Sequence, residues 1–397
     1  SMQLTSFCLY SYSSLSLLRN IVGTIGEQDF SVRLTNVVMD TLVKKHLHSQ
    51  AKIAGVSCDT QGLEQLITSW TRSKEVYLQK TAQFLSEWLS PQETITLHTS
   101  GTTGTPKLIT VKKTYMIRSA MLTGAFLQLH AGDSSLCVLP TDYIAGKMMI
   151  VRALVLGLSL ELLPPSSTPF AATPHNFDFV ALTPMQAMKS LSELHRAKKI
   201  ILGGAPISAA MEAQLQEIPT EIYVTYGMTE TVSHIALRPI APKERHSMVY
   251  TTIGESRVWQ DEQGCLVIHC PEVAEGEIHT HDVVRLHGAH AFEWLGRLDN
   301  IINSAGVKIY PEGVERKLSS FISDRFFIWK EPDELLGERV ILLVEGREAD
   351  YSHLLENLQK ETVFSKYELP KKIYFLPHFQ LTASDKIQRE ATAKLLL

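Results

Sequence analysis

An alternation of short apolar strands with helices between residues 135 and 226 constrains the fold of this chain more than any other feature. Apolar runs typical of strands cover residues 135–139, 159–163, 177–182, 199–202 and 222–226. Stretches with helical spacing of apolar residues lie between most of them, at residues 146–156, 185–194 and 208–218. Because strands that are joined through helices usually run parallel in one sheet, this pattern predicts an α/β fold.

The sequence pattern changes on either side of this segment. Upstream, helices are predicted around residues 63–70, 84–89 and 114–129. Downstream, residues 250–296 indicate β-strands separated by glycine turns, and a mixed pattern follows, with a helix predicted over residues 351–360. We therefore expect two domains: residues 1–298 form a large α/β domain with mainly parallel sheets plus a β-rich segment, and residues 299–397 form a small α+β domain.

The composition narrows the class of protein. Hydrophobic residues make up 44% and charged residues 20% of the 397 residues, which is typical of a soluble protein. A net charge of −4 indicates no basic surface for nucleic acid, and no apolar run is long enough to insert into a membrane. The 5 cysteines include no CxxC pair, so we expect reduced thiols in a cytoplasmic protein and no zinc cluster. A homo-oligomer is compatible with the sequence.

Residues 99–107, Thr-Ser-Gly-Thr-Thr-Gly-Thr-Pro-Lys, form the sharpest local signal. Two glycines allow a tight turn that approaches an anion closely, and the hydroxyls and amides can donate to phosphate oxygens. The loop lacks the GK[ST] ending of a Walker A motif, and the simpler alternative is a polar turn between two strands. The residues expected to bind ATP here are Thr99, Ser100, Gly101, Thr102, Thr103, Gly104 and Lys107.

This loop resembles the signature of the adenylate-forming superfamily, which contains acyl- and aryl-CoA ligases, peptide-synthetase adenylation domains and firefly luciferase. Further segments resemble other motifs of that superfamily in the same order, from about residue 90 to the end of the chain. They are residues 203–206 (Gly-Gly-Ala-Pro), 226–231 (Tyr-Gly-Met-Thr-Glu-Thr), Asp282, 296–306 (from Gly-Arg-Leu-Asp to Ala-Gly) and 381–389, which contains Lys386.

The resemblance implies an ATP-dependent acid–thiol ligase that uses Mg²⁺ and coenzyme A and forms an acyl-adenylate. It assigns catalysis to Lys386, Glu230 and Thr229, with Glu230 as the Mg²⁺ ligand. An oxygen ligand suits that hard cation, and the Lys386 ammonium would stabilise charge at the reacting phosphate. Outside the loop, the implied ATP contacts are Gly203, Gly204, Ala205, Tyr226, Gly227, Met228, Asp282 and Arg297.

The resemblance also implies a mobile C-terminal domain that turns about Asp299 between two half-reactions. Gly306 would then line the passage for the coenzyme A thiol. The chain departs from the family pattern at three positions. Leu108 follows the loop lysine, while His281 and Asp385 stand where relatives have glycine before the aspartate and the lysine.

The identity of the acid is indicated by residues 140–152, which occupy the place of the family's acyl-pocket motif. The expected acid-binding residues are Tyr143, Gly146 and Arg152, and the pattern resembles o-succinylbenzoate–CoA ligases of menaquinone synthesis, whose acid has two carboxylates. The short region before the phosphate loop resembles some of those ligases. Three alternatives stay open: Arg152 faces solvent, the acid is an aryl or fatty acid, or the acyl group is loaded onto a carrier protein in trans. A non-enzymatic binder is disfavoured because Lys107, Glu230 and Lys386 are all retained.

Overall fold

The computed structural model describes residues 43–99, 107–381 and 387–396. The α-helices of these residues are α1 (Thr60–Thr71), α2 (Val76–Leu89), α3 (Lys113–Leu127), α4 (Ile144–Leu156), α5 (Pro184–Lys189), α6 (Ala209–Gln216), α7 (Pro311–Leu318), α8 (Leu354–Lys360) and α9 (Arg389–Ala393). No helix within the described ranges is both long and apolar enough to cross a membrane.

Most strands belong to one large sheet. The strands in its first half are β1 (Lys52–Ile53), β2 (Val56–Ser57), β5 (Ser134–Cys137), β6 (Ser159–Leu162), β7 (Phe177–Leu182), β8 (Ala197–Leu202) and β9 (Glu221–Gly227), and the phosphate-loop strands β3 (Thr94–Thr99) and β4 (Lys107–Lys112) pair separately. The strands in its second half are β10 (His234–Ala241), β11 (Val249–Thr252), β12 (Arg257–Gln260), β13 (Cys265–His269), β14 (Glu277–Leu286) and β15 (Ala291–Arg297).

The order of the large sheet is β12-β13-β14-β15-β11-β10-β9-β8-β7-β5-β6-β1-β2. Neighbouring strands are parallel from β1 through β6, β5, β7 and β8 to β9, and antiparallel from β9 to β12. The prediction of an α/β fold with parallel strands followed by a β-rich segment is therefore confirmed, although the two parts form one continuous sheet.

The parallel strand β8 ends in a continuous apolar run because both faces of the sheet are covered there. In β8, Ile200 and Leu202 belong to one buried cluster, whereas Ile201 belongs to the cluster on the opposite face. Consecutive buried residues point to opposite faces of a strand, so a continuous apolar run is expected only when helices cover both sides.

A second, smaller sheet follows the first. Its strands are β16 (Ile302–Ser304), β17 (Val307–Ile309), β18 (Phe326–Asp333), β19 (Gly337–Glu345) and β20 (Lys372–Leu376), in the order β17-β16-β19-β18 with β20 beside β19. Helix α7 packs on this sheet through Val314 and Leu318, which are fully buried. The backbone passes from the large sheet to this one through the short segment between Arg297 and Ile302.

Two predicted helices are shorter in the structure than their apolar spacing indicated. Residues 185–194 divide into α5 and a 3₁₀ segment at Leu191–Arg196, and residues 351–360 divide into a 3₁₀ segment at Glu348–Tyr351 and α8. Over so few residues, a repeat of 3.6 and a repeat of 3.0 place apolar side chains almost identically. The spacing therefore did not distinguish the two helix types.

The contacts between the second sheet region and the first include a buried carboxylate on α6. Glu212 is 1% exposed, and its oxygens accept from Arg238 Nη1 at 2.9 Å and Nη2 at 3.0 Å. Arg316 on α7 approaches it at 2.8 Å, and His246 completes the group. Burial alone raises the pKa of Glu212, but the hydrogen bonds and charge of Arg238, the charge of Arg316 and the His246 bond lower the pKa to about 2. Glu212 is therefore ionised at physiological pH.

Candidate active site

Two of the predicted nucleotide segments lie side by side at the carboxyl edge of the parallel strands. Residues 203–206 follow β8, and residues 226–231 close β9, which pairs with β8 in parallel. A Cβ on Gly203 would lie 2.6 Å from the Thr225 hydroxyl, and Gly204 has a φ of +86°. Glycine is therefore required by close approach at the first position and by backbone conformation at the second. Gly204 and Ala205 are exposed, so this backbone is open to a ligand.

The turn from β9 to β10 places Glu230 at the same carboxyl edge of the sheet. Gly227 lies against the returning strand, since a Cβ there would be 2.2 Å from the Ser233 carbonyl oxygen. Thr231 fixes the turn by donating its hydroxyl to the Ser233 carbonyl at 2.7 Å and accepting from Met228 N at 2.9 Å. Thr229 is partly exposed, and the exposed Glu230 carboxylate forms no ion pair with any residue that the structure describes. A hard cation can thus approach this carboxylate.

The structure brings together Tyr226 and Asp282, which are far apart in sequence. The Tyr226 hydroxyl donates to Asp282 Oδ2 at 2.6 Å, and its ring packs edge-on against Phe292 with centroids 5.0 Å apart. Burial, followed by the Asp282 charge, raises the pKa of Tyr226 well above its usual value, so the hydroxyl stays protonated. Asp282 is 8% exposed and its Oδ1 lies 3.4 Å from Arg297 Nη1, which leaves it acceptor capacity for a ligand hydroxyl.

Arg297 and His281 link this aspartate to the segment between the two sheets. Asp299 Oδ1 and Oδ2 lie 3.1 and 3.2 Å from His281 Nδ1, and Arg297 Nη2 donates to Asp299 Oδ2 at 3.3 Å. His281, which stands where the resemblance implies a glycine, therefore contacts the predicted hinge residue. Gly306 lies in the turn between β16 and β17 with a φ of +78°, and a Cβ added there would meet no described atom within 4 Å.

The phosphate loop itself lies mostly outside the described residues. Strands β3 and β4 pair in antiparallel register up to Thr99 and Lys107, so they bring the two ends of the loop together. Residues 100–106, including Ser100, Gly101, Thr102, Thr103 and Gly104, and the side chains of Thr99 and Lys107 are not among the described parts of the chain. The same holds for Lys386. Their predicted roles remain predictions.

The predicted acid-binding residues lie on and before α4. Tyr143 precedes the first turn and is 53% exposed. Gly146 packs against the preceding loop, since a Cβ there would lie 2.3 Å from the Pro140 carbonyl oxygen. Residues 146–154 of the helix are all buried, so α4 is a core helix and has no solvent side in that stretch.

Arg152 lies inside this core. It is 2% exposed, so the alternative that it faces solvent is wrong. Its Nη2 donates to Ser233 Oγ at 3.1 Å and its Nη1 lies 3.8 Å from the Met149 sulfur, while the buried Nε has no hydrogen-bond partner among the described residues. Burial lowers the pKa of Arg152 to about 10, and the nearby Cys137 partly offsets this. No carboxylate in the described part of the chain pairs with this cation.

The residues that hold Arg152 were missed by the sequence analysis. Ser233 and His234 follow the Tyr226–Thr231 motif after one residue, Val232, and His234 Nε2 lies 3.1 Å from Thr123 Oγ1 on α3. Their position next to a nucleotide motif was the one signal that could have pointed to them. No group of three His, Cys, Asp or Glu side chains that could hold a metal occurs within the described residues, and His279, His281, His287 and His290 contact separate partners.

Comparisons with known proteins agree with this arrangement. The family model of AMP-binding enzymes matches residues 24–281. The 2-succinylbenzoate–CoA ligase of Enterococcus faecalis is 26% identical over 332 residues, which cover 74% of this chain and 67% of that protein. The corresponding ligase of a Geobacillus strain is 26% identical over 349 residues, covering 76% and 68%.

Solved structures show the same fold. An AMP-forming acyl-CoA synthetase/AMP-acid ligase II-like protein from Dyadobacter fermentans has 37% sequence identity and a TM-score of 0.56, with 84% of this chain and 98% of that chain covered. The O-succinylbenzoate coenzyme A synthetase of Bacillus subtilis in complex with ATP and magnesium has 20% identity and a TM-score of 0.63, with 75% and 69% covered. Since the family model spans more than half of the chain and includes the motifs that follow β8 and close β9, this chain belongs to the family of AMP-binding enzymes.

Proposed function

We propose that this protein is an ATP-dependent acid–CoA ligase whose acid is 2-succinylbenzoate or a close analogue with a second carboxylate. The observation that carries the choice of acid is the buried Arg152 guanidinium, whose Nε has no partner among the described residues. The curated relatives from Enterococcus faecalis and a Geobacillus strain are named for the same substrate.

The energetics of a buried cation support an anionic ligand. Removing a charge from water without pairing it costs several kcal/mol in a protein. A carboxylate that reached Arg152 would form charge-assisted hydrogen bonds with the free edge of the guanidinium and would offset that penalty. An acid with one carboxylate uses that group in the reaction and has nothing left for Arg152. A second carboxylate is therefore the feature that this site selects.

Arg152 is connected to the nucleotide segment through Ser233. Ser233 lies three residues after Glu230 in the turn between β9 and β10, and its hydroxyl accepts from Arg152. The acid would thus be held on the inner side of the turn whose outer side presents Glu230. This proximity supports assigning Tyr143, Gly146 and Arg152 to acid binding.

In the proposed reaction, one carboxylate oxygen of the acid attacks the α-phosphorus of ATP and pyrophosphate leaves. The coenzyme A thiol then attacks the acyl carbon, AMP leaves, and a thioester forms. Repulsion between two anions opposes the first step, so the site must supply positive charge and donors. The residues proposed to do so are Lys386, Lys107, Thr229 and the hydroxyls of the phosphate loop.

Mg²⁺ fits the donor set at Glu230, because this carboxylate is exposed and has no described ion-pair partner. Mg²⁺ bound there would neutralise phosphate charge. Tyr226 and Asp282 are proposed to contact the nucleoside. Asp282 Oδ1, the oxygen that does not accept from Tyr226, is proposed to accept from a ribose hydroxyl. Gly203, Gly204, Ala205, Gly227, Met228 and Arg297 complete the proposed ATP site.

The boundary at residues 298 and 299 is proposed to separate the two domains, with Asp299 as the hinge. The break between β15 of the large sheet and β16 of the second sheet supports that position. Gly306, in an exposed turn, is proposed to line the thiol passage in the second half-reaction.

The cysteines of the described residues support a reducing, cytoplasmic location, because they are buried free thiols. They are Cys58, Cys137, Cys265 and Cys270.

The test of this function is turnover with a panel of acids. The protein is incubated with ATP, Mg²⁺, coenzyme A and either 2-succinylbenzoate, benzoate or a fatty acid, and pyrophosphate, AMP and thioester are measured. We expect turnover with 2-succinylbenzoate and little with the acids that have one carboxylate. Turnover confined to benzoate or fatty acids would refute the proposed acid. Release of pyrophosphate without thioester would indicate another acceptor, such as a carrier protein.

Replacement of Arg152 tests the acid site directly. Arg152→Met keeps the volume and removes the charge, so we expect KM for 2-succinylbenzoate to rise about 100-fold while KM for ATP stays unchanged. Thermal stability should not fall, because the variant removes a buried charge that has no described carboxylate partner. Arg118→Met, at an exposed arginine of α3, is the matched control. An unchanged KM for the acid would remove Arg152 from the site.

A further inference from the structure

A chain of hydrogen bonds runs from Arg152 into helix α3. Arg152 Nη2 donates to Ser233 Oγ at 3.1 Å, and Ser233 Oγ lies 3.5 Å from His234 Nδ1. His234 Nε2 lies 3.1 Å from Thr123 Oγ1, which donates to the Ser119 carbonyl at 2.9 Å. The chain therefore connects helices α3 and α4 across the start of strand β10.

The two ends of this chain set its direction. The guanidinium can only donate and the Ser119 carbonyl can only accept. If His234 carries its proton on Nε2, the Ser233 hydroxyl donates to Nδ1, Nε2 donates to Thr123, and every hydrogen in the chain has an acceptor. With the proton on Nδ1, the buried Nε2 would have no donor, because Thr123 gives its one hydroxyl hydrogen to the Ser119 carbonyl. Buried polar groups are rarely left unpaired, so the Nε2-protonated tautomer is favoured.

The environment of His234 keeps its ring neutral. The side chain is 5% exposed, and burial, together with the nearby Arg152 charge, lowers the pKa of His234 well below its usual value. A neutral ring keeps the lone pair on Nδ1 that the Ser233 hydroxyl needs. A protonated ring would lose that acceptor and place a second cation beside Arg152.

We propose that His234 is a positioning residue for acid recognition. It orients the Ser233 hydroxyl so that the serine oxygen lone pairs face Arg152, and it thereby fixes the guanidinium with its Nε edge free for the second carboxylate of the acid. Without His234, the Ser233 hydroxyl hydrogen can turn towards the guanidinium and weaken the bond between them. This inference rests on the proposed function, because it assigns His234 to the same acid site.

Two substitutions separate this role from simple packing. His234→Leu removes both hydrogen bonds, and we expect KM for 2-succinylbenzoate to rise about tenfold while KM for ATP changes less than about twofold. His234→Gln should restore most of the affinity for the acid. The glutamine amide presents a donor and an acceptor on one side chain, so it can serve Thr123 and Ser233 at once. Equal losses in both variants would overturn the hydrogen-bonding role.

A double-mutant cycle with Arg152 tests whether His234 acts through it. In the Arg152→Met background, His234→Leu should change KM for the acid by less than about twofold, because the guanidinium that it positions is absent. A tenfold effect in both backgrounds would show that His234 acts independently of Arg152 and would overturn the proposal. If the wild-type protein and Arg152→Met behave as proposed above but His234→Leu leaves KM unchanged, only the inference about His234 fails.

The tautomer can be measured without an activity assay. The ¹⁵N chemical shifts of the His234 ring, assigned by comparison with His234→Gln, should show a protonated Nε2 and an unprotonated Nδ1. These shifts should stay constant between about pH 6 and pH 8, since the ring is neutral throughout. A proton on Nδ1, or titration in that range, would overturn the proposal.

Discussion

Single buried charges distinguish this protein from an ordinary α/β domain, and Lys113 is a second example beside Arg152. Lys113 begins α3 with 0% exposure, and its Nζ donates to the Ser90 carbonyl at 2.7 Å. Burial lowers the pKa of Lys113 to about 8 from 10.5, with a small opposite effect of Glu87. Below about pH 8 the folded protein therefore carries a desolvated charge.

This shift predicts a gain of stability at alkaline pH. Between about pH 8 and pH 10.5 the unfolded chain holds the Lys113 proton and the folded protein does not, so the free energy of unfolding rises with pH. The whole shift corresponds to about 3 kcal/mol. In Lys113→Met that contribution is absent, so the stability of the wild-type protein relative to the variant should increase from pH 7.5 to pH 10, as measured by urea unfolding.

The control for this experiment is Lys74→Met, which changes an exposed lysine near the start of α2. The difference in stability between this variant and the wild-type protein should stay constant over the same pH range. A pH-independent difference for Lys113→Met would show that its ammonium is hydrated in the folded protein.

The sequence could name candidate site residues but not their surroundings. Gly203, Tyr226 and Glu230 were predicted as site residues from motif spacing, which is a local pattern, and the structure brings them to one edge of the sheet. The burial of Arg152 was left open, because α4 is apolar on every side and its periodicity does not say which face meets solvent. The Tyr226–Asp282 contact joins residues 56 positions apart, which no local pattern indicates.

At the scale of elements, the turn between β9 and β10 contributes to both parts of the proposed site: Glu230 to the nucleotide part and Ser233 to the acid part. Gly227 allows this turn to close, because a side chain at this position would collide with the backbone of Ser233 and His234. Val232 adopts a φ of 67°, a conformation that β-branched residues rarely take, and it precedes Ser233 and His234 directly. Packing of the surrounding strands stabilises this backbone shape.

Gly227→Ala should therefore disturb the turn. The added Cβ would lie 2.2 Å from the Ser233 carbonyl oxygen and 2.5 Å from His234 Cα, and both are backbone atoms that cannot rotate away. We expect a loss of about 1–3 kcal/mol in the free energy of unfolding and a lower rate of adenylate formation. Denaturant unfolding and pyrophosphate release measure the two effects.

Gly313→Ala provides the matched control, because Gly313 lies in α7 with no described atom within 4 Å of the added Cβ. Alanine is favoured over glycine inside a helix by about 1 kcal/mol, so this variant should be as stable as the wild-type protein or slightly more stable. If Gly227→Ala were tolerated equally well, the close contact across the turn would not constrain the site.

Among the elements, strands were predicted more accurately than helix ends. The strand Phe177–Leu182 matches its predicted bounds because both faces are buried and the apolar run stops where burial stops. The α-helix predicted over residues 185–194 instead ends at Lys189 with Ser190 as its C-cap. A 3₁₀ segment then leads to β8. Apolar spacing over so few residues fits both helix types, so it does not show where an α-helix gives way to a 3₁₀ segment.

At the scale of the whole molecule, two sheets are joined by a short linker that contains Asp299. The linker runs from β15 to β16, and the side chain of Asp299 contacts His281 and Arg297 of the large sheet. If the second sheet region turns about this point between half-reactions, a rigid residue here should affect the turning step more than the chemistry before it.

Asp299→Pro tests that expectation. Proline fixes φ near −65°, so we expect thioester formation to slow at least about tenfold while adenylate formation changes less than about threefold. Asp299→Ala removes the same side-chain contacts but leaves the backbone free, and it should slow neither step as strongly. Rapid-quench measurement of both half-reactions distinguishes the variants. Equal slowing of both steps by proline would contradict a hinge at this position.

The group around Glu212 has a consequence for such a movement. Glu212 and Arg238 both belong to the large sheet region, whereas Arg316 arrives on α7. On separation, Arg316 would enter water, where a cation is well hydrated, and Glu212 would keep its paired arginine. Neither side would be left with an unpaired buried ion, so the charges of this contact would add little resistance to such a movement.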